Sequence, residues 1–220
     1  ISRAINYNGE EPSKLDFKLK NLDNEVQRDF LLPLVTEIQN SAEDEQDRVR
    51  IAISVVQNIP FGSSEKSLRI GGTKLDYARY PYEVLYDEKG VCGEKVELLA
   101  FILREMGYGV GFFSYASENH EVAAIKCPKV NSLRGTGYCF VETTGPSIMT
   151  DDGIEYWGIG KLISEPELYV ISGGKSISGW WYEYGDAKRF DRVRKGIGIF
   201  KGKTLKSFVD KYGLEDIYNV

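Results

Sequence analysis

Apolar residues recur at helical spacing in three stretches of the chain and alternate at strand spacing in three more. Val26, Phe30, Leu31, Leu34, Val35 and Ile38 form the first helical stripe, behind the capping residues Asp23 and Asn24, and Pro33 is expected to bend or restart that helix. Ser41-x-x-Asp44 fits a capping box and opens a second helix with Val49, Ala52, Ile53 and Val56 on one face, closed by Asn58-Ile59-Pro60. Both read as core scaffold. After Gly90-Val91-Cys92-Gly93, apolar residues fall at 92, 96, 99 and 103 and at 98, 102 and 106, before Gly107 supplies a C-cap. That spacing predicts a buried helix that starts at a cysteine. Gly109 to Tyr115, Glu121 to Cys127 and Tyr138 to Thr144 then read as three strands separated by Ser/Asn/Gly/Pro clusters. A helix followed by an antiparallel sheet is an α+β plan.

The remaining segments carry weaker patterns. Residues 1–22 mix Pro, Gly, Asn and charges, as expected of an extended arm, and Phe61 to Asp87, with Gly71-Gly72 and four tyrosines, reads as a long surface loop. The aromatic run Gly179 to Tyr184 and the stretch Ile197 to Phe200 are expected to add strands, so that 161–220 forms a β-rich extension with a short helix near Thr204 to Tyr212. Alternation in such a strand would put Trp180, Tyr182 and Tyr184 on one face and Trp181 on the other, either as core or, with Trp157, as a grip on peptide. No repeat or linker divides the chain, so 1–220 is read as one domain.

Composition narrows the chemistry. The chain has 220 residues, 28 Lys+Arg against 33 Asp+Glu, and no basic run, which argues against a nucleic-acid partner. No apolar run reaches membrane-spanning length. The chain starts at Ile1 rather than Met, from which removal of an N-terminal segment is expected, the place an export signal or anchor would occupy, and the compartment stays open. Three cysteines and one histidine do not make a zinc site of ordinary spacing, and no acidic loop has calcium-ligand spacing, so no metal is expected. Gly174-Lys175-Ser176 and Gly202-Lys203-Thr204 lack the first glycine of a phosphate loop, which sets nucleotide cofactors aside. Any chemistry that needs an imidazole must use His120.

Cys92 stands where the free amides and positive end of a helix favour a thiolate and can hold charge developing on an attacked carbonyl oxygen. A buried structural thiol is the plain alternative. His120 opens a strand and can act as the base such a thiol needs, or be an ordinary surface histidine. Glu142, in an otherwise uncharged run, calls for a partner. If the strands pair so that 120 faces 142, Glu142 can hold the imidazole by one nitrogen and leave the other for the thiol. The same register puts Cys127 and Cys139 about four residues out of step, or roughly 13 Å, and predicts no disulfide between them.

Taken in order, these stretches resemble the transglutaminase-like superfamily of papain-type cysteine enzymes. The resemblance rests on Val55-Val56-Gln57-Asn58-Ile59-Pro60-Phe61 before the active-site loop, Tyr80-Pro81-Tyr82-Glu83-Val84-Leu85, and Gly90-Val91-Cys92 through Gly107-Tyr108. It is completed by Asn119-His120-Glu121-Val122-Ala123 and Tyr138 to Thr144. It covers about residues 50–160 and implies a papain-like core, the nucleophile-bearing helix packed on an antiparallel sheet, with Cys92 as nucleophile, His120 as base and Glu142 as acid. Val91 and Gly93-Glu94 differ from the Asp and Glu-Asp that flank the cysteine in many members, and the acid there is more often Asp.

The function so implied is thiol-dependent hydrolysis of amide or peptide bonds in a protein or peptide substrate, through a thioester on Cys92. Glutamine-to-lysine cross-linking and a silent peptide-binding domain are the alternatives. The Cys92 backbone N–H and the Gln57 side chain are the oxyanion-hole candidates.

Overall fold

Ser13 takes the N–H of Asp16 on its hydroxyl while the Asp16 carboxylate takes the N–H of Ser13, and this reciprocal cap starts helix α1 (Lys14–Leu22). The structure, a computed structural model, describes residues 13–62, 66–153, 155–156, 160–196 and 201–215. The expected extended arm is therefore a helix from Lys14 onward. Asn24 caps α2 (Glu25–Asn40), which runs through Pro33 as one element and buries Leu31, Val35 and Ile38, whereas Val26 and Phe30 face solvent. Asp44, not Ser41, caps α3 (Glu45–Gln57), and Ser41 instead closes α2. The carboxylate two residues from the helix amide out-competes the more distant hydroxyl.

The expected surface loop after α3 holds regular structure. Strands β1 (Lys66–Ile70) and β2 (Thr73–Tyr77) pair as a hairpin around Gly71 and Gly72, both at positive φ, the geometry a two-residue turn requires. Pro81 starts the short helix α4 (Pro81–Tyr86). Helix α5 (Cys92–Glu105) follows, and its residues 98 to 103 are all buried, so it is enclosed on every side rather than along one stripe. Gly107, at φ 87°, ends it, with the N–H of Tyr108 returning to the carbonyl of Leu103.

Strands β3 (Gly109–Tyr115), β4 (His120–Lys126) and β5 (Tyr138–Val141) form an antiparallel sheet in the spatial order β5-β4-β3, and β8 (Glu167–Gly173) adds to the free edge of β3. A two-residue ladder, β6 (Glu155–Tyr156) with β7 (Gly160–Lys161), lies between β5 and β8 in sequence. One sheet face packs through Val110, Phe112, Ala123 and Ile125 on α5, and the other buries Phe113, Tyr115, Val122 and Phe140 in a second cluster. The fold is α+β. The aromatic run 179–184 is not a strand: it turns into α6 (Glu183–Arg194), with Trp181 buried and Trp180 exposed. Helix α7 (Lys201–Tyr212) packs on α6 through Phe208 and Phe190, so the C-terminal part is largely helical, not β-rich. Tertiary packing of Tyr184, Ala187 and Phe190 overrides the strand propensity of the aromatics. Trp157 and the expected strand at 197–200 lie outside the described residues. No helix among the described residues is long and apolar enough to cross a membrane.

The β4–β5 register differs from expectation by two residues. Ala123 faces Val141 and Ile125 faces Cys139, which makes Cys127 and Cys139 diagonal neighbours with Cα atoms 5.7 Å apart, joined by a disulfide. The predicted absence of this bond is overturned. Loop closure over 12 residues should contribute about 3 kcal/mol by chain entropy. Replacing both cysteines by Ala is expected to lower unfolding free energy by about 2–4 kcal/mol in denaturant melts. The unreduced, denatured chain should show one titratable thiol. Three thiols without reductant would contradict the bond.

Candidate active site

The chain reaches Cys92 through a glycine pinned from both sides. The N–H of Gly90 bonds to the carbonyl of Pro60, and the N–H of Gly62 returns to the carbonyl of Gly90. A Cβ on Gly90 would meet Lys95 Cγ at 3.1 Å and Val84 Cγ1 at 3.2 Å, so a side chain there would push the lead-in off its seat. Cys92 is then the first residue of α5, half-buried, and the one free cysteine of the chain.

Glu94 fixes this first turn. One of its carboxylate oxygens accepts the N–H of Val91 at 3.0 Å and the other accepts the N–H of Arg79 at 2.7 Å. The Arg79 guanidinium lies 3.5 Å from the same carboxylate and 2.8 Å from Asp87. Both Arg79 and Glu94 are buried, so each needs the other. On the opposite side of the turn, Lys18 of α1 donates to the carbonyl of Gly93 and lies 3.1 Å from Glu97 and 2.9 Å from Glu121. Burial opposes its charge, but the two carboxylates prevail and hold the ammonium above its ordinary pKa. A Cβ on Gly93 would meet Glu121 Oε2 at 2.8 Å, so glycine is what lets α1, α5 and β4 close on one another.

His120 enters the site from the start of β4. Asn119 before it is at φ 49°, a conformation that asparagine adopts more readily than most residues. The turn is braced by Glu118, whose carboxylate accepts the N–H groups of Ile163 and Ser164 and the Ser164 hydroxyl, bonds that pull its pKa down to about 2. Two residues of register slip leave His120 and Glu142 on the same face as diagonal neighbours, and Nε2 of the ring lies 2.8 Å from Glu142 Oε2. The other carboxylate oxygen, Oε1, accepts from Thr143 N, Thr144 N and Thr144 Oγ1 at 2.8–2.9 Å. Burial alone would raise this carboxyl, yet the imidazole and the Thr144 donors hold it below the usual range.

With Nε2 committed to Glu142, the remaining ring nitrogen is Nδ1, and the Cys92 side chain lies near enough to act on the charge of the ring. Burial pushes the imidazole down, but the bonds and charges of Cys92 and Glu142 more than offset it and raise its pKa to about 10. The structure thus brings Cys92, His120 and Glu142 together.

No family model, curated protein or solved structure matches the chain. Its chemistry is read from the site.

Gln57 has a different place from the one expected. Its amide nitrogen donates to the carbonyl of Glu142 at 2.9 Å and to the Ser147 carbonyl and hydroxyl at 3.3 and 3.1 Å. Those bonds commit the amide to the segment that carries the acid, so Gln57 is a strut behind Glu142 and not a free donor for an oxyanion. The Cys92 N–H remains, in a first turn whose amides have no helical acceptor. Among the described residues no group of acidic, cysteine and histidine side chains is arranged to hold a metal ion.

Lys95, one turn after Cys92, escaped the sequence reading. It is fully buried, its ammonium reaching the carbonyls of Gln57 and Ile59 at the end of α3. Burial pulls its pKa down to about 8, opposed by the charge of Glu142. A lysine beside an apolar stripe gives no sign of turning inward. Glu94 did carry a signal, since a glutamate three residues into a helix is the usual reciprocal cap.

Glu142→Gln keeps an acceptor for the threonine donors but turns an amide toward Nε2, favouring the tautomer that protonates Nδ1. Alkylation or acylation of Cys92 should slow by roughly 10²–10⁴-fold with the melting transition still cooperative. An unchanged rate would assign Glu142 a structural role only. The His120 pKa rises from 6.5 to about 10 on folding, so its stabilisation is whole below pH 6.5 and is lost as pH climbs toward about 10. Denaturant melts across that window should show a falling limb that His120→Asn flattens.

Proposed function

We propose that this chain is a thiol-dependent hydrolase of amide or peptide bonds with a papain-like, transglutaminase-like core. The observation that carries the reading is the buried imidazole, held by Glu142 at 2.8 Å and lying near the thiol at the first residue of an enclosed helix. An imidazole raised to about 10 is protonated at neutral pH, and an imidazolium beside the sulfur favours the thiolate, the nucleophilic form.

In this reading Cys92 Sγ attacks the carbonyl carbon of the scissile amide, and the carbonyl electron pair moves onto oxygen, facing the N–H of Cys92 at the start of α5. His120 gives its proton to the leaving nitrogen as the C–N bond breaks, which releases an amine and leaves a thioester on Sγ. Water then attacks the thioester. His120 takes a proton from it, the C–S bond breaks, and the acid leaves with the thiolate–imidazolium pair restored. Glu142 keeps the ring in one orientation and balances its charge throughout, as the third member of such a triad does.

Two features favour turnover over a silent binding fold. Cys92 is half-exposed while the other two cysteines are sealed in a disulfide, and the groups that hold the dyad are buried charges whose cost a purely structural core would avoid. Presented with an activated acyl ester, the protein should gain one acyl group on Cys92, and the adduct should decay by hydrolysis at a rate independent of added lysine analogue. Cys92→Ala should form no adduct. Saturable transfer to the amine would make the chain a cross-linking enzyme, and absence of any adduct at neutral pH would remove the catalytic reading.

A further inference from the structure

Lys18 stands in α1, 75 residues before Gly93 and outside the stretch that resembles a cysteine enzyme, yet its side chain ends beside both the nucleophile's helix and the base's strand. The ammonium carries three hydrogens and meets three acceptors: the carbonyl of Gly93 at 3.2 Å, Glu97 Oε1 at 3.1 Å and Glu121 Oε2 at 2.9 Å. Gly93 is the residue after Cys92, and Glu121 is the residue after His120. One buried nitrogen therefore spans the gap between the start of α5 and the start of β4.

The surroundings hold this nitrogen in place. Asn21 donates to the second oxygen of Glu97 at 3.0 Å, and Lys14 lies 3.8 Å from the second oxygen of Glu121. The Phe112 ring of β3, with Tyr169 of β8 stacked on it, has its centre 4.9 Å from the ammonium. A Cβ on Gly93 would stand 2.8 Å from Glu121 Oε2 and 3.6 Å from Lys18 Nζ, so the close approach of the three groups depends on a glycine after the cysteine. Buried ion pairs add little net stability, but they admit one arrangement and reject others. Glu142 and its threonine donors fix the imidazole within the sheet, and Glu94 fixes the first turn of α5. Lys18 joins those two halves.

We propose that Lys18 is a positioning residue for the thiol chemistry: by bonding the carbonyl that follows Cys92 and the carboxylate that follows His120, it sets the separation of sulfur and imidazole. Helix α1 is thereby a working part of the catalytic unit. The proposal rests on the reading of Cys92 and His120 as nucleophile and base, and it adds a residue that touches neither substrate nor reacting atoms. Its effect is on geometry, to which such reactions are sensitive, since a misplacement of about 1 Å can cost on the order of a hundredfold in rate.

His120 is the one histidine of the chain, so its ring signal in a proton spectrum identifies itself and its titration can be followed directly. The double variant Lys18→Met, Glu97→Gln removes one positive and one negative charge, which cuts the bridge and leaves the net charge of the cluster as it was. In that variant the imidazole should titrate well below about 10, toward 6.5, because the thiol no longer supports its charge. Iodoacetamide should alkylate Cys92 at pH 7 roughly tenfold more slowly than in the parent. A lysine that served stability alone would lower the melting temperature and leave both readouts where they were. Should the double variant fail to fold, Glu121 decides: Glu121→Gln keeps an oxygen for Lys18, Glu121→Ala does not, and both lose the same charge. The Ala variant should then react roughly tenfold more slowly than the Gln variant. Parent-like titration and rate in the double variant, or equal rates in the two Glu121 variants, would overturn the proposal and leave the reading of Cys92 intact. A parent histidine that titrates near 6.5, with Cys92 alkylated no faster than in the denatured chain, would remove that reading and the proposal with it.

Discussion

A carboxylate and an imidazole buried to within 1% of full enclosure can stay ionised only if every remaining lone pair and hydrogen finds a partner. Much of the molecule around His120 and Glu142 answers that requirement. Oε1 takes three donors from the two threonines that follow, the carbonyl of Glu142 takes the Gln57 amide, and the charge of Lys95 acts on the carboxylate from the nucleophile helix. The same residues tie α3, α5 and the end of β5 into one body. The constraint on a single ion pair thus sets the relative position of a helix end, a strand end and the cysteine between them.

The charged groups around α5 follow a second rule. Because this helix is enclosed by apolar contacts, its polar residues must leave through its ends or pair inside. Glu94 pairs with Arg79 and the backbone of Val91, Glu97 with Lys18, and Lys95 with the last carbonyls of α3. Each pair joins α5 to a different neighbour. Buried pairs of this kind do not rank high as sources of stability, but they admit one arrangement and reject others, which is what a cysteine in the first turn needs from its surroundings.

Much of this was legible in the sequence. Gly90, Cys92, the apolar positions and Gly107 give a helix with both ends marked, and β3 is found at its expected bounds. The three candidate residues converge because strand alternation keeps His120 and Glu142 on one face under a slip of two residues as well as under none. The disulfide was not legible for the same reason, since that slip changes which residues are diagonal neighbours while leaving the pattern of faces intact. Lys95 and Arg79 escaped, and Gln57 was given the wrong partner, because a long polar side chain pointing inward looks, in sequence, like one pointing out. The segment 179–184 misled through its aromatics, which suit a strand but here cap and pack a helix.

The disulfide has a bearing on how the chain reaches its native form. One of its cysteines stands just past the end of β4 and the other in β5, so the pairing of the two strands brings them together through contacts local in sequence, against little loop entropy. Cys92 lies 35 residues before the nearer of them. Chain entropy thereby acts as a sorting device: in the unfolded chain the pairing of Cys127 with Cys139 closes a shorter loop than either pairing with Cys92.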